Sequence, residues 1–548
     1  MTARRLLPGL LAAVFLSGCA SAPPRFADAP AITRIDDTAD MPEPAEHEFY
    51  RLSHHLDNFG PRQMRLRLDP VPAGPARDVN RLGDVPSSSW WEDRGVLSPE
   101  RIAQGPGGDD PGPEAFRPWK ITGMKSGGRN PGFVIEDARG VRYICKLDKA
   151  GTPVVATAAG AVAARLFWGL GYHAPDDRIV FVAPDEIVIS DDAKDTSPTG
   201  EKVPLRWETV QAMLDRYAAR DAAGRYRLLT SRFLPGRPVG GWSYRGTRND
   251  DPNDTIPHQD RRSLRALRVF GAWLNHVDLK VDNSLDLYTE ENGRRFLRHY
   301  LVDFDGCLGG YKAARHEPRI GFAYDVDLKE VVTGLPTFGF LVRPYEDLPR
   351  GKSPLVGGFG SEGYDPAKWK ANYLNDILFA CRPADAYWAG RRMTRLGPEH
   401  VRAAVTAARY GDPAADAILA QVLMERWEKT VDWALRQVTP VESLDRIAPE
   451  AGGFRVDATD ALVDAHRPSD LRYRIEVRDE DGKIVKESTD PGAPGIDVPA
   501  SAAEGRGYLV VRWTAETGDG GALPRTDAHY LRAADGDWKL VGVLRDGE

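Results

Sequence analysis

Read by the periodicity of its apolar positions, the chain changes grammar several times. Between residues 118 and 148 short apolar runs, Trp119 to Ile121, Phe133 to Ile135 and Val141 to Leu147, are separated by glycines and by an Asp137-Ala138-Arg139-Gly140 turn, which predicts three strands. Val155, Ala159, Val162, Leu166 and Leu170 then recur at helical spacing and stop at Gly171, predicting a helix over 153–170. Strands are expected at Ile179 to Val182, Glu186 to Ile189 and, after a polar insertion, Leu228 to Leu234, where Pro235-Gly236 ends the run at a hinge.

From Arg261 the spacing turns helical again through Leu264, Leu267, Phe270 and Leu274. A polar loop over 276–283 and a hairpin across a Glu-Asn-Gly turn follow, ending at Asp303-Phe304-Asp305-Gly306. A glycine- and proline-rich stretch runs to Asp365-Pro366. Asp412-Pro413 then gives an N-cap and a Pro at the first helical position for a helix carrying Leu419, Val422, Trp427 and Val431. Beyond Ile447 short alternating strands take over, at Tyr473 to Arg478, Lys483 to Lys486, Tyr508 to Thr514, His529 to Arg532 and Trp538 to Leu544. They predict a small β-sandwich, of which the immunoglobulin-like arrangement is one form.

The N-terminus has a pattern of its own. Arg4 and Arg5 precede an apolar run from Leu6 to Leu16, too short to span a bilayer, that meets Ser17-Gly18-Cys19. The Leu-Ser-Gly-Cys ending resembles the lipobox of bacterial lipoproteins, which implies acylation of Cys19; Ala20 after it implies the outer membrane, facing the periplasm. Residues 20–46, rich in Ala, Pro and Asp, read as a flexible tether. In the extension that follows, the paired Trp90 and Trp91 read as packing against a neighbouring domain.

Composition narrows the classes. With 548 residues, 42% hydrophobic and 28% charged, the chain has material for several domains with real cores. A net charge of −7 offers no basic field, which argues against nucleic acid as a partner. Cys145, Cys307 and Cys381 remain beside Cys19; no CxxC and no HExxH occurs, so neither a zinc ribbon nor a zincin site is expected.

The chemistry concentrates in two segments. His276-x-Asp278-Leu279-Lys280-x-x-Asn283 resembles the catalytic loop of protein kinases, and Asp303-Phe304-Asp305-Gly306 resembles the metal-binding segment that follows it there. The Asp-Phe-Asp form is also similar to aminoglycoside and choline phosphotransferases and to HipA-like kinases. The resemblance implies an α+β, bilobal protein-kinase-like fold and a site using ATP and Mg²⁺. By it, Asp278 would orient or deprotonate an acceptor hydroxyl and Lys280 would lie near the transferred phosphoryl group. Asn283 and Asp303 would hold metal, Lys146 would meet the α and β phosphates, and Gly123, Gly127 and Gly128 would offer backbone N–H groups to phosphate. His276 reads as a structural residue, and Asp305 as a turn carboxylate or an added metal contact.

Two features depart from the family. Residues 151–175 contain no Glu to pair with Lys146; Gly160 and Ala161 stand where it would be, so the pairing either comes from elsewhere, with Glu136 and Asp148 as candidates, or is missing. The glycine segment 123–132 is not GxGxxG. The expectation is therefore a signal peptide over 1–18, a tether over 19–46, an irregular extension over 47–109, an N-lobe with an insertion over 110–236, a C-lobe over 237–447 and the β-sandwich over 455–548. Two functions stay open: an envelope-anchored phosphotransferase acting on a protein, glycan or small-molecule hydroxyl, and a pseudokinase-like binding lipoprotein.

Overall fold

The computed structural model describes residues 26–545 except 49–53, 55, 59, 72–73, 126–129, 197–200, 312–316, 339, 350, 352, 451 and 491. Cys19, Gly127 and Gly128 lie outside the described residues.

The fold is mixed α/β. In chain order the first half contains helices α1 (Pro61–Leu68) and α2 (Pro99–Gln104), strands β1 (Trp119–Met124), β2 (Gly132–Glu136) and β3 (Arg142–Lys146), helix α3 (Val155–Gly169), and strands β4 (Asp177–Val182) and β5 (Ile187–Ile189). A small hairpin of β6 (Lys194–Thr196) and β7 (Lys202–Pro204), helix α4 (Trp207–Tyr217), and strands β8 (Ala219–Arg220) and β9 (Tyr226–Arg232) complete it. The main sheet runs in the order β4-β9-β3-β2-β1-β5. Alternation sorts its faces: Phe133, Ile135, Tyr143 and Cys145 join a core that includes Val210 and Leu214 of α4. That helix lies inside the segment read as a polar insertion. Only two of its eleven residues are buried, so its apolar stripe is too sparse to register as a periodicity.

The opposite face carries α3, which is buried over nearly its whole length. It follows Val154, at φ 77°, which caps nothing with its own side chain. Asp148 supplies the cap: Oδ1 accepts from the backbone N–H groups of Ala156 and Thr157 at 2.9 and 3.0 Å, and Oδ2 from the Thr157 hydroxyl at 2.7 Å.

Beyond Pro235-Gly236, β10 (Arg237–Pro238), β11 (Ser284–Glu291) and β12 (Arg294–Leu301) form a three-stranded sheet. Gly236 has φ 140°, and a Cβ there would lie 2.5 Å from the Tyr288 carbonyl oxygen, so no larger residue fits. The helix expected from Arg261 is split into Arg262–Arg265 and Leu267–Leu274, and it ends on Asn275 in the left-handed region. Five further helices, Leu328–Gly334, Asp376–Phe379, Pro383–Met393, Pro398–Ala407 and Pro413–Leu435, follow in the lower half. Trp90 and Trp91 are buried; Trp90 stacks on His299 at 3.5 Å and Trp91 donates to the Leu170 carbonyl.

Two expectations are corrected. The stretch read as a flexible tether is laid against the body from Phe26 onward. Asp37 is buried and accepts from the Ser89 N–H and hydroxyl, Met41 is 2% exposed, and backbone bonds join Ile35 to Ser87 and His47 to Val239. Composition alone misses this because the segment is held by a few specific contacts rather than by an apolar stripe. In the C-terminal region the five expected strands form one antiparallel sheet in the order Ile484–Asp490, Arg472–Arg478, Tyr508–Glu516, Thr526–Arg532, Trp538–Arg545. A second sheet of Ile447–Glu450, Gly453–Val456 and Ile496–Val498 has strands too short to read in advance, and its Phe454 stacks on Trp538 of the first at 5.0 Å. Neighbours lie in near-sequential order, unlike the Greek key of an immunoglobulin domain.

Candidate functional site

The two segments singled out from the sequence lie side by side, and the end of β3 reaches one of them. Lys146 is the last residue of β3, paired with Gly132 of β2. A Cβ on Gly132 would lie 2.0 Å from the Cys145 carbonyl oxygen, so glycine is required for the strands to close there. The Lys146 Nζ donates to Asp303 Oδ1 at 2.6 Å. Asp303 stands in the left-handed region at φ 61°, a conformation Asp tolerates better than bulkier residues.

Asp278 sits at the other side. Its Oδ2 accepts from Lys280 Nζ at 2.9 Å and from Asn283 Nδ2 at 3.0 Å; the same Asn283 amide also donates to the Asp278 carbonyl at 2.8 Å. Asp278 Oδ1 is buried with no hydrogen-bond partner among the described residues, the one oxygen of this carboxylate left for an incoming donor. Gly306 brings the two segments together: its Cβ position lies 3.4 Å from the Asp278 Cβ.

The electrostatics follow from burial and four carboxylates. Burial alone would depress the Lys146 ammonium, but Asp303, Asp305 and Asp177 outweigh it and hold its pKa above the ordinary lysine value. Asp303 is lowered because Lys146 overcomes its burial. Asp305 is pushed up to about 7 by burial and by the charges of Asp303 and Asp278. It also accepts a hydrogen bond from the Asn130 amide. His276 is fully buried between Phe167 of α3 and Phe304, with ring centroids 5.5 and 5.8 Å away. Burial lowers its pKa to about 4, so it is a neutral packing group in a ring cluster that links α3 to both loops.

Neither substitute for the missing helix Glu pairs with Lys146. Asp148 is committed to capping α3, and Glu136 lies at the far end of its strand, opposite Arg142. At Gly160 α3 packs directly on the Asp303 segment: a Cβ there would lie 3.6 Å from the backbone N and Cα of Asp305. Gly123 is a second correction. It stands inside β1, opposite Val134 beside a register irregularity and facing open space, not in the loop, which is closed by the Lys125 N–H to Gly132 carbonyl bond at 3.0 Å.

Two residues of the site have no sequence signal strong enough to find them. Asn130 lies in the glycine segment but reads as a turn former. Asp177 follows Pro175-Asp176 and reads as the polar start of a strand, yet it is 2% exposed. The register Lys146↔Leu229, Leu229↔Ile179 and Ser231↔Asp177 puts it on the sheet face of Lys146. The three described cysteines beyond position 19 are free, and Cys145 and Cys307 are buried.

No protein-family model matches the chain, and no curated protein is significantly similar to it. Among solved structures it is similar to a Helicobacter pylori proinflammatory kinase, at 12% identity over 57% of this chain and 94% of that one, with a TM-score of 0.29. It is also similar to two structures of the Golgi casein kinase. The one with Mn/ADP bound is 9% identical over 59% of this chain and 75% of that one, with a TM-score of 0.28; the other gives 11%, 58%, 75% and 0.25.

Proposed function

We propose that the chain is a kinase-like phosphotransferase that moves the γ-phosphoryl group of ATP to a hydroxyl acceptor. The observation that carries this reading is the proximity of Lys146, Asp278, Lys280, Asn283 and Asp303 from three separate segments: Lys146 pairs with Asp303, Asp278 holds Lys280 and Asn283, and Gly306 of the Asp303 segment packs against Asp278. Phosphoryl transfer needs little covalent help from a protein; it needs in-line positioning and charge neutralisation. Lys146 would neutralise nucleotide phosphates. Lys280 would balance the phosphoryl group in flight, and Asp278 Oδ1 would accept the hydroxyl proton as the acceptor oxygen bonds to phosphorus and the nucleoside diphosphate leaves.

The donor set suits a hard cation. Asn283 commits its amide nitrogen to Asp278, which leaves its carbonyl oxygen, and Asp303 adds carboxylate oxygen. Among the described residues no three His, Cys, Asp or Glu form a ready-made cage. That fits Mg²⁺, which takes one or two protein oxygens and completes its shell with phosphates and water. Bound there, the ion would neutralise phosphate charge.

A second reading, nucleotide binding without turnover, draws on the absence of any helix carboxylate beside Lys146. Calorimetry with ATP, with and without Mg²⁺, tests the shared premise: Mg²⁺-dependent binding is expected, and none at millimolar nucleotide would overturn both readings.

The Leu16-Ser17-Gly18-Cys19 pattern supports a lipid anchor on Cys19 and an envelope location, with the outer membrane favoured by Ala20. Among the described residues no helix is long and apolar enough to cross a membrane. Cys19→Ala is expected to move the protein from the membrane to the soluble fraction; retention in the membrane would overturn the anchor.

A further inference from the structure

Beside the catalytic loop lies a cavity of about 760 Å³ walled by six aromatic rings, Phe322, Tyr324, Tyr345, Trp369, Tyr373 and Phe379. Phe322 and Tyr345 stack at 5.7 Å on one side, and Tyr324 and Phe379 face each other obliquely at 6.4 Å. The cavity is coupled to the proposed chemistry through its backbone: the Asn372 N–H donates to the carbonyl of Val277, the neighbour of Asp278, at 2.9 Å. A second, adjoining cavity shares Phe322, Tyr345 and Trp369 and continues to Gly309 and Tyr311, just past the Asp-Phe-Asp-Gly segment.

Three observations select the occupant. The volume lies in the range that takes a small ligand rather than a folded partner. The ring faces are already served by the chain's own cations, Lys370 5.1 Å over Tyr324 and Arg268 5.6 Å over Trp369, so a cationic ligand would meet like charge where an empty aromatic cage would attract it. No lining residue lies in a strand, so there is no edge for an extended peptide to pair with. The rings offer flat faces for the C–H faces of a ligand, and the charged side chains of Asp365, Lys368 and Lys370 line the same cavity, where they can meet hydroxyls at its edge.

We infer that this cavity is the acceptor subsite and that it takes a saccharide, one of whose hydroxyls receives the phosphoryl group. The transfer rests on the phosphotransferase reading; the binding does not. In the transfer the sugar oxygen bonds to the γ-phosphorus, the bond from that phosphorus to the β–γ bridging oxygen breaks, the hydroxyl proton passes to Asp278, and the nucleoside diphosphate departs.

The test is saturation-transfer NMR on the whole protein with cellobiose, maltose and N,N′-diacetylchitobiose, each at millimolar concentration, for wild type, Tyr324→Ala and Phe379→Ala. Phe379 is 45% exposed and Tyr324 half-buried, so the two rim variants leave the core intact. Expected are signal from at least one probe and a loss of about tenfold in affinity in each rim variant. Signal from none of the three, or signal indifferent to both rim variants, would overturn the assignment. Saccharide binding without any ATP binding would sink the phosphotransferase reading and leave this subsite standing. Equal phosphorylation of a serine peptide by wild type and both rim variants, with no saccharide signal, would sink the subsite alone.

Discussion

The Lys146 ammonium and the Asp303 carboxylate meet at 2.6 Å, joining a strand end to a loop 157 residues further along the chain. The Asp303 side chain remains 39% exposed and that of Lys146 only 15%, so the carboxylate meets solvent while the ammonium is largely enclosed. Lys146→Met should therefore weaken ATP binding by tenfold or more, read by calorimetry, through loss of the phosphate-facing charge. Because Asp303 can hydrate, the thermal midpoint should fall by only a few degrees.

The space around Gly160 makes a separate prediction. A Cβ there meets Leu229 at 3.4 Å and Asp305 at 3.6 Å, ordinary contact distances. Gly160→Ala should be neutral or stabilising by about 0.5–1 kcal/mol, the usual gain of Ala over Gly in a helix. Gly160→Glu, which restores the residue type expected by resemblance, should destabilise by more than about 2 kcal/mol through overpacking and a buried charge. Urea melts of the two variants distinguish these outcomes.

Asp148 acts on α3 and not on Lys146. Beyond its capping bonds, the Arg227 guanidinium donates to the Thr157 hydroxyl at 2.6 Å and lies 3.9 Å from Asp148. Asp148→Ala should cost about 2–4 kcal/mol in a melt, since it removes a cap and leaves a buried arginine without its carboxylate. Loss of ATP affinity greater than the loss of stability would assign it to the site instead.

Asp177 gives a pH signature. Burial raises its pKa to about 6 against the pull of Lys146. Between the ordinary aspartate value and pH 6 the folded state binds the extra proton, so this residue's contribution makes stability fall as pH rises through that window. Asp177→Asn should remove that slope and raise the thermal midpoint at pH 8 relative to wild type. An unchanged profile from pH 4 to 8 would mean that the carboxylate is hydrated.

Much of this arrangement was legible in the chain because it rests on local patterns. The alternation around Cys145 and Lys146, the spacing from Val155 to Leu170 and the two polar loops each declare themselves within about twenty residues. What was not legible depends on contacts between distant segments. Asp148 reads as a charge near a lysine until α3 closes on it, and Asp177 reads as the polar start of a strand until β9, lying between β4 and β3, sets it on the face of Lys146. Residues 26–46 read as a tether because single buried groups, Asp37 and Met41, hold them with no periodic signal.

The most direct test of the central claim is turnover of γ-labelled ATP, measured beside ATP affinity, for wild type, Asp278→Asn and Asp303→Ala. Wild type should turn over. Asp278→Asn should keep wild-type affinity and lose about 10²- to 10⁴-fold in rate, the contribution of a positioned base, whereas Asp303→Ala should lose affinity as well. Turnover by Asp278→Asn at the wild-type rate, or binding by all three with turnover by none, would contradict the account.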